Sequence, residues 1–427
     1  MNLTQKVLIG LMAGLFLGLT LNATGLSVSG GFVDTYLSEG IFALGGKLFV
    51  NALKMLVVPL VFFSIVCGVL GIGDIKLLGR VGSKSFGLYM STTAIAIATA
   101  LIAATIFSVG SGIEPPPTDS DFSGKNAPSL VQVITDIVPS NPIAAMAEGN
   151  MLAIIFYALI FGICLLSIKD KAPVVIQFAE QMNELMMKMV EIVMHFAPYA
   201  VFCLIAKVMA QLGFDLFVEL IFYVLVLAGV LLFHGFVTLP SALKAISGLN
   251  PRIFLKKIRS AQMFAFSTAS SGATIPATLQ AVENRMGVKG SVASFTVPFG
   301  ATINMDGTAM MQGVATVFIA NVYGLDLALT DYLLIVLMSI LASIGTAGVP
   351  GVGLIMLTMV FTQVNLPVEG IALIIGVDRL MDMIRTSVNI TGDAAVSCVV
   401  AKSENDELDM DVFNDPHSGV LEEHVTQ

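Results

Sequence analysis

The last long apolar segment of the chain, residues 368–401, carries a row of polar and charged side chains. They are Asp378, Arg379, Asp382, Arg385, Thr386, Asn389 and Asp393. At 100° per residue in a helix, nearly all of them lie within about 60° of Asp382. Charged side chains are costly in an apolar environment, so this stripe is expected to face a cavity or partner groups. A purely structural ion pair between Arg385 and Asp382 is the alternative interpretation.

A second polar cluster is the pentapeptide Asn304-Met305-Asp306-Gly307-Thr308, which has no basic residue nearby in the sequence. Asp306 and Asp393 therefore lack an obvious cationic side-chain partner. If buried, each must be protonated or meet a bound cation. Amide, hydroxyl and carbonyl oxygens beside them are hard ligands that suit an alkali ion better than zinc. The pattern favours coupled cation transport, with a carboxyl group acting as a proton carrier as the alternative.

The elements that must position these residues are apolar helices. Of the 427 residues, 56% are hydrophobic and 12% are charged, whereas a soluble domain carries about 25% charged residues. Apolar runs that can cross or nearly cross a bilayer recur at 8–21, 55–72, 94–109, 151–168, 216–239 and 332–343. The composition predicts an all-α integral membrane protein in contact with lipid, and we expect no nucleic-acid partner.

Lysine and arginine cluster in three connections, at 76–84, 169–171 and 244–259, whereas the connection 110–136 is acidic. Because positive loops stay in the cytoplasm, we expect six helices up to Leu243, cytoplasmic N- and C-termini and a location in the cell (inner) membrane. The apolar N-terminal run is interpreted as a retained helix, with a cleaved signal peptide as the alternative. The acidic run after Lys402 predicts a solvated, disordered tail over 403–427.

Two polar interruptions, Ser267–Pro276 and Ser343–Gly351, break the apolar sequence in the second half. Each lies between apolar arms too short to span alone, which predicts two re-entrant helical hairpins. A longer helix should follow each hairpin, over 288–323 and 368–401. Broken segments in corresponding places indicate a transporter's substrate site. Glycine and serine used only for close helix packing are the alternative.

With these motifs the chain resembles the dicarboxylate/amino acid:cation symporter family, which includes the glutamate transporters. The resemblance runs from the first helix to Lys402. It implies eight transmembrane helices plus two re-entrant hairpins, built as inverted repeats, in an elevator-type transporter that forms a homotrimer. Residues 1–260 would form mainly the scaffold, with the third and sixth helices joining the mobile part. Residues 261–402 would form the core transport domain.

The resemblance also implies a substrate site for an acidic amino acid. Asp382 would hold the α-ammonium group, and Arg385 would grip the side-chain carboxylate through its planar fork. The other positions that match substrate contacts are Asn389, Thr308, Thr386, Ser271, Val349 and Gly348.

Three sodium sites follow from the same resemblance. The first matches Asp393, Asn389, Asn304 and the Gly300 carbonyl. The second, deeper site matches Asp306, Asn304, Tyr89, Thr92 and Thr93. The third matches the carbonyls of Thr302, Ser343, Ile344 and Thr346.

Single positions refine this expectation. Family members that carry C4-dicarboxylates lack the acid at Asp382, and neutral amino acid members lack the arginine at Arg385, so their presence favours aspartate or glutamate. Asp393 and the Asn-Met-Asp sequence favour sodium, with proton coupling and a C4-dicarboxylate substrate as alternatives. Many acidic amino acid members carry an extra arginine where this chain has Ala269 or Met383, which leaves the affinity and the ion steps open.

Two further classes of protein would use parts of the same pattern. A cation channel could be lined by a polar stripe, but channels favour repeated rings from several subunits. An intramembrane aspartyl protease would use paired acids such as Asp378 and Asp382. No second helix with a complementary acid stands out in the sequence, so we expect a symporter and not an enzyme.

Overall fold

The computed structural model describes residues 3–26, 31–70, 78–112, 138–345, 351–404, 407–415 and 418. Helices account for the regular structure in these ranges, together with one isolated antiparallel bridge between Val288 and Leu408. The α-helices are α1 Leu3–Ala23, α2 Ala43–Leu70, α3 Ser83–Ile106, α4 Pro142–Glu148, α5 Met151–Ser167, α6 Pro173–His195, α7 Ala197–Phe233, α8 Leu239–Ser247, α9 Pro251–Thr268, α10 Ser271–Gln280, α11 Gly290–Ile303, α12 Asp306–Val322, α13 Leu329–Gly345, α14 Val352–Gln363, α15 Ile371–Ser403 and α16 Met410–Asn414.

Short π-helical stretches join or extend several of these helices. They are Asp34–Phe42, Leu78–Gly82, His234–Thr238 and Ala281–Arg285, and a 3₁₀ turn, Val368–Gly370, precedes α15. Lys76 and most of the acidic connection 110–136 lie outside the described residues.

Several helices are long and apolar enough to cross a membrane. Four meet that test among the described residues: Gln5–Ala23, Asp34–Leu70, Arg80–Ile106 and Phe217–Ser247. A pair bent by 51°, Pro173–Val193 with Ala197–Gln211, forms a fifth if it is one span. Shorter apolar helices are Ala153–Ser167, Leu329–Ile344 and Val352–Gln363. The chain is therefore a multi-pass membrane protein, and the topology of eight spans stays a prediction.

Helices α1 and α7 approach each other closely through a row of glycines. A Cβ atom on Gly14 would lie 2.8 Å from the Phe202 carbonyl oxygen, and one on Gly18 would lie 2.6 Å from the Ala206 carbonyl oxygen. Gly10 meets the Pro198 carbonyl in the same way. Small residues spaced by four are how apolar helices pack backbone to backbone in lipid. A methyl group at these positions would push the two helices apart.

The first polar interruption forms a helical hairpin, as predicted. Helices α9 and α10 pack against each other and are joined at Ala269, whose φ is +50°. Ser270 begins the second arm, because its hydroxyl oxygen accepts a hydrogen bond from the Ala273 amide at 3.2 Å. Helices α13 and α14 also pack against each other, and their connection, 346–350, lies outside the described residues. The re-entrance of both hairpins stays a prediction.

The prediction of one continuous helix over 288–323 is wrong. The chain forms α11 and α12, and the helix is broken at Asn304 and Met305, which adopt extended and irregular backbone angles. Ser343 of α13 compensates for this break. Its hydroxyl donates to the Ile303 carbonyl at 2.6 Å and accepts from the Met305 amide at 2.8 Å. Backbone groups freed inside the membrane need such partners.

Helix α15 lies at the centre of the second half. It packs against both arms of the first hairpin, α9 and α10, against the broken pair α11 and α12, and against α14. Four helices from the first half also reach it, namely α1, α3, α7 and α8. Most of α15 between Ile371 and Ala401 is buried, including its charged residues.

The acidic tail is not free of the protein where the structure describes it. Glu404 is 7% exposed and Phe413, in α16, is fully buried. The Lys289 amide donates to the Glu407 carbonyl at 2.9 Å, and the Asp409 amide donates to the Gly287 carbonyl at 2.8 Å. The disordered tail predicted from the charge run therefore does not hold for 407–415. The rest of the tail, 419–427, lies outside the described residues.

Candidate functional site

The polar stripe of α15 forms a buried ring of ion pairs. Arg385 Nη2 lies 2.8 Å from Asp378 Oδ1 and 3.0 Å from Asp382 Oδ1. Arg379 Nη1 lies 3.5 Å from Asp382 Oδ2. All four residues are at most 8% exposed. The ion pair between Arg385 and Asp382, which the sequence left as an alternative, is present.

Part of the Arg385 guanidinium remains available. Its Nε and Nη1 atoms are buried and have no hydrogen-bond partner among the described residues. Gly353, near the beginning of α14, faces this edge: a Cβ atom there would lie 3.3 Å from both Arg385 Nη1 and Thr308 Cγ2. The second hairpin, α12 and α15 thus meet around a guanidinium edge that has donors to spare.

The other substrate positions fall into three groups. The Thr386 hydroxyl donates to the Asp382 carbonyl at 2.8 Å, and Asn389 Oδ1 accepts from the Gly307 amide at 2.7 Å. Ser271 is buried at the first residue of α10, which packs against α15. Gly348 and Val349 lie outside the described residues.

Asp393 lies just over two helical turns beyond Arg385 on α15, and no guanidinium contacts it among the described residues. Its Oδ1 accepts a hydrogen bond from Asn304 Nδ2 at 2.9 Å, and its Oδ2 has no hydrogen-bond partner among the described residues. Asp393 is 1% exposed. Gly300 of α11 faces it: a Cβ atom there would collide with Asp393 Oδ1 and lie 2.7 Å from the Tyr89 hydroxyl. The Gly300 carbonyl accepts from the Asn304 amide at 2.7 Å and keeps a second lone pair.

Asp306 lies beside this group at the beginning of α12. The Thr93 hydroxyl donates to its Oδ1 at 2.6 Å. The Thr92 hydroxyl lies 3.4 Å from both Asp306 Oδ1 and Asn304 Oδ1. Tyr89, on the same helix α3, is fully buried and donates to the Thr296 carbonyl at 2.9 Å. The structure therefore brings all five predicted residues of the deeper sodium site into one region.

His234 is the residue that sequence reasoning missed. It is fully buried, and its Nε2 lies within hydrogen-bond distance of Asp306 Oδ2, at 3.1 Å. The expectation that Asp306 has no basic neighbour is therefore wrong. His234 comes from the π-helical stretch between α7 and α8, 72 residues away along the chain, so no local pattern could reveal the contact. The only available signal was a single histidine inside an apolar span.

The third predicted ion site is described only in part. Thr302, Ser343 and Ile344 are present, and Thr346 lies outside the described residues. Ser343 and Ile344 are buried. The Ser343 side chain bridges the break between α11 and α12, as above, which places the end of α13 directly against Asn304 and Met305.

These contacts define what the arrangement can do. The ring on α15 presents a guanidinium and a carboxylate to a small zwitterion. Asp393 and Asp306 present carboxylate, amide, hydroxyl and carbonyl oxygens, the ligands that alkali ions prefer. The described residues hold no group of three or more His, Cys, Asp or Glu side chains that could bind a metal ion. A cation bound here would therefore depend on amide, hydroxyl and backbone oxygens as well.

Comparison with known proteins shows similarity to symporters and transport proteins over almost the whole chain. It is 33% identical over 416 residues to a proton/glutamate-aspartate symporter of Escherichia coli, covering 95% of this chain and 93% of that protein. It is 34% identical over 411 residues to a proton/sodium-glutamate symport protein of Geobacillus stearothermophilus, covering 94% of each chain. A C4-dicarboxylate transport protein of Bacillus subtilis is 33% identical over 368 residues, or 84% of this chain and 87% of that protein.

The family model described as the sodium:dicarboxylate symporter family matches residues 3–403. This range includes both hairpins, the broken helix and the whole of α15, and it ends where the acidic tail begins. The chain belongs to the sodium:dicarboxylate symporter family.

Proposed function

We propose that the chain is a secondary symporter that takes up an acidic amino acid, L-aspartate or L-glutamate, together with sodium ions. The observation that carries this proposal is the pair of clusters on α15. One cluster has a guanidinium with unused donors beside a carboxylate. The other has a buried carboxylate, Asp393, with one oxygen unpartnered among the described residues.

The substrate would replace an ion pair that is already present. Arg385 Nη2 and Asp382 Oδ1 lie 3.0 Å apart. An acidic amino acid carries an ammonium group for Asp382 and a side-chain carboxylate for Arg385. Both protein charges therefore keep a partner when the substrate binds. Asp378, 2.8 Å from the same guanidinium, holds it in place throughout. A dicarboxylate without an amino group would leave Asp382 with only its longer contact to Arg379, at 3.5 Å.

The charge balance calls for cations. Asp378 and Asp382 are matched by Arg379 and Arg385, which leaves the two carboxylates Asp306 and Asp393 in the same buried region. An acidic amino acid adds one further net negative charge. Uncompensated charge in a low-dielectric region is prohibitively costly. Cations must therefore enter with the substrate, which couples its uptake to their gradient.

Sodium is the cation we propose, at the sites around Asp393 and Asp306 and, for a third, at the end of α13. The Geobacillus relative's name includes both protons and sodium, whereas the Escherichia relative's name includes protons alone. Proton coupling is the second candidate. The buried hydrogen bond between His234 and Asp306 is the observation that favours it.

For the mechanism we propose an elevator-type movement in a homotrimer. The body formed by α9–α15 would move together with the third helix, α3, and the sixth, Phe217–Ser247, both of which pack against α15. The remaining helices, including α1 and the first part of α7, would form the scaffold. Both termini would be cytoplasmic, in the cell membrane.

The test is uptake of labelled L-aspartate into proteoliposomes under an inward sodium gradient or an inward proton gradient. Uptake driven by sodium alone is expected. Uptake driven by protons alone would keep the substrate class and show that the ion assignment is wrong. Unlabelled L-glutamate should compete and succinate should not. Equal competition by succinate would contradict the role of Asp382 and favour a C4-dicarboxylate carrier.

A further inference from the structure

A groove of about 530 Å³ opens where α8 ends and the chain turns into α9. Its walls include Phe236, Val237 and Ala245 from one side and Arg252 and Leu255 from the other. None of the residues that line it belongs to the substrate or ion positions described above. Its volume lies within the range of small-molecule sites, roughly 300–1,000 Å³.

One side of the groove is apolar and exposed. Phe236 is 54% exposed and Val237 is 46% exposed. Both belong to the candidate membrane span Phe217–Ser247. In a span of this length such side chains meet hydrocarbon and not water. This side of the groove is therefore suited to an acyl chain.

The other end of the groove is cationic. Lys244 lies in the last turn of α8, and Arg252 is the second residue of α9. Both side chains are exposed, and neither forms an ion pair among the described residues. The groove has no acidic residue in its lining.

Two other basic residues, in contrast to Lys244 and Arg252, are bound to the C-terminal segment. Lys257 is 1% exposed, and its amine donates to the Val412 carbonyl at 2.7 Å and the Ser418 hydroxyl at 2.9 Å. Lys84 donates to Glu404 at 2.7 Å. Those cations are used to hold the C-terminal segment. Among the described residues, Lys244 and Arg252 have no such contact with the C-terminal segment, and they line the groove.

We propose that this groove binds an anionic phospholipid, with the phosphate between Lys244 and Arg252 and an acyl chain along Phe236 and Val237. The basic loops of this chain predict that this end of α8 lies at the cytoplasmic surface. Anionic lipids of that leaflet are attracted to basic pockets between membrane helices. A soluble phosphate would use the cations but would leave the apolar side empty. The lipid would brace the junction of α8, which packs against α15, with the first hairpin.

The test uses the purified full-length protein in a neutral detergent. Phosphatidylglycerol or phosphatidylcholine is added, and bound lipid is counted by native mass spectrometry. The double variant Lys244→Gln/Arg252→Gln should lose about tenfold in phosphatidylglycerol binding. The control Lys256→Gln/Arg259→Gln removes the same charge from exposed positions of α9 that do not line the groove. It should bind like the wild type.

A second variant tests the site without changing charge. Ala245→Phe places a ring in the groove and should reduce phosphatidylglycerol binding to the level of the double variant. Equal binding in the wild type and the double variant, or equal binding of phosphatidylcholine, would overturn the proposal. Displacement of phosphatidylglycerol by an equal concentration of glycerol phosphate would also overturn it, in favour of a soluble anion. The measurement needs no transport, so its result is independent of the proposed symport.

Discussion

Helix α15 carries the buried pair Asp378 and Asp382 and, about three turns further along, the single buried carboxylate Asp393, and their surroundings are opposite. Asp378 and Asp382 share two guanidinium groups within 3.5 Å. Asp393 has an amide donor at 2.9 Å and no guanidinium in its described contacts, and its neighbour Asp306 has hydroxyls and a single histidine. The same helix therefore places one neutralised group and one group that lacks fixed positive charge in the same buried region.

This difference in surroundings suits the two groups to different roles, one in binding substrate and the other in binding a cation. A buried ion pair is costly to break, because removing one partner leaves the other charged and desolvated. The ring around Arg385 is therefore suited to exchange partners with a ligand of matching charge. Among the described residues, the group around Asp393 and Asp306 has one histidine, beside Asp306, and no lysine or arginine, so under the proposed coupling its positive charge comes from solution. A substrate that adds negative charge and a cation that removes it become mutually dependent in one buried region.

The largest effect is expected from Arg385→Ala. This change removes the guanidinium that would bind the substrate carboxylate and leaves Asp378 and Asp382 facing each other. Truncating one partner of a buried charge pair costs roughly 2–5 kcal/mol. Aspartate binding should weaken by about several hundredfold, measured by isothermal titration at saturating sodium.

The matched control for that prediction is Arg379→Ala. It removes the same charge from the same helix at the longer contact of the ring, 3.5 Å from Asp382. Its effect should be clearly smaller. Both variants should elute as folded protein in gel filtration. Wild-type aspartate affinity in Arg385→Ala would remove Arg385 from the substrate site.

The substitution Asp393→Asn tests the group formed by Asp393 and Asp306. The amide keeps the shape of the side chain and removes the charge that a cation would neutralise. Residues that only orient a metal ligand change metal affinity by roughly 10–100-fold. We therefore expect the sodium concentration for half-maximal uptake to rise at least about tenfold.

Asp378→Asn is the control, because it removes a carboxylate charge from the ring on the same helix. It should weaken aspartate binding and, at saturating aspartate, leave the sodium response unchanged. If Asp393→Asn keeps the wild-type sodium response, Asp393 is not a sodium ligand and the contrast between the two groups has another origin.

A smaller effect is expected at His234. Its Nε2 lies 3.1 Å from Asp306 Oδ2, whereas Oδ1 accepts from Thr93 and would face the proposed cation. A hydrogen bond to a charged group contributes about 1.5–3 kcal/mol. His234→Leu should therefore raise the sodium concentration for half-maximal uptake by roughly tenfold. His234→Gln, which keeps an N–H at a similar reach, should recover most of that loss. Equal defects in both variants would mean that the imidazole acts by packing alone.

The sequence was sufficient for the parts of this region that are local. The spacing within α15 placed its polar residues on one face, and the interruption Ser267–Pro276 placed the turn of the first hairpin. Contacts between segments that are distant in the sequence could not be predicted from local spacing. The break at Asn304 and Met305 depends on Ser343, and the basic neighbour of Asp306 is His234. The acidic run after Lys402 predicted a solvated tail because its charges outnumber its apolar residues. Phe413 is nevertheless buried and Lys257 donates to the Val412 carbonyl, so α16 docks on the protein.

The smallest effect on stability is expected at Glu404. Its ion pairs lie beyond the end of α15, where they can be compared with the buried ring around Arg385. Glu404 pairs with Arg80 and Lys84 at 2.7 Å each, distances as short as those in the ring. The side chains of Arg80 and Lys84 are, however, 80% and 39% exposed. Water screens such pairs, so each contributes below about 1 kcal/mol.

The hydrogen bond from Lys84 and the nearby charges lower the pKa of Glu404 below its ordinary value of 4.5. Because the folded pKa is lowered, the stabilisation is complete above about pH 4.5 and is lost as the pH falls through the folded value. Glu404→Gln should therefore lower the thermal unfolding midpoint slightly at pH 7, and the difference from wild type should vanish in acid. A fall in the thermal unfolding midpoint at pH 7 as large as the fall measured for Arg385→Ala would contradict the comparison. Distance, and not desolvation, would then set the strength of a carboxylate pair in this protein.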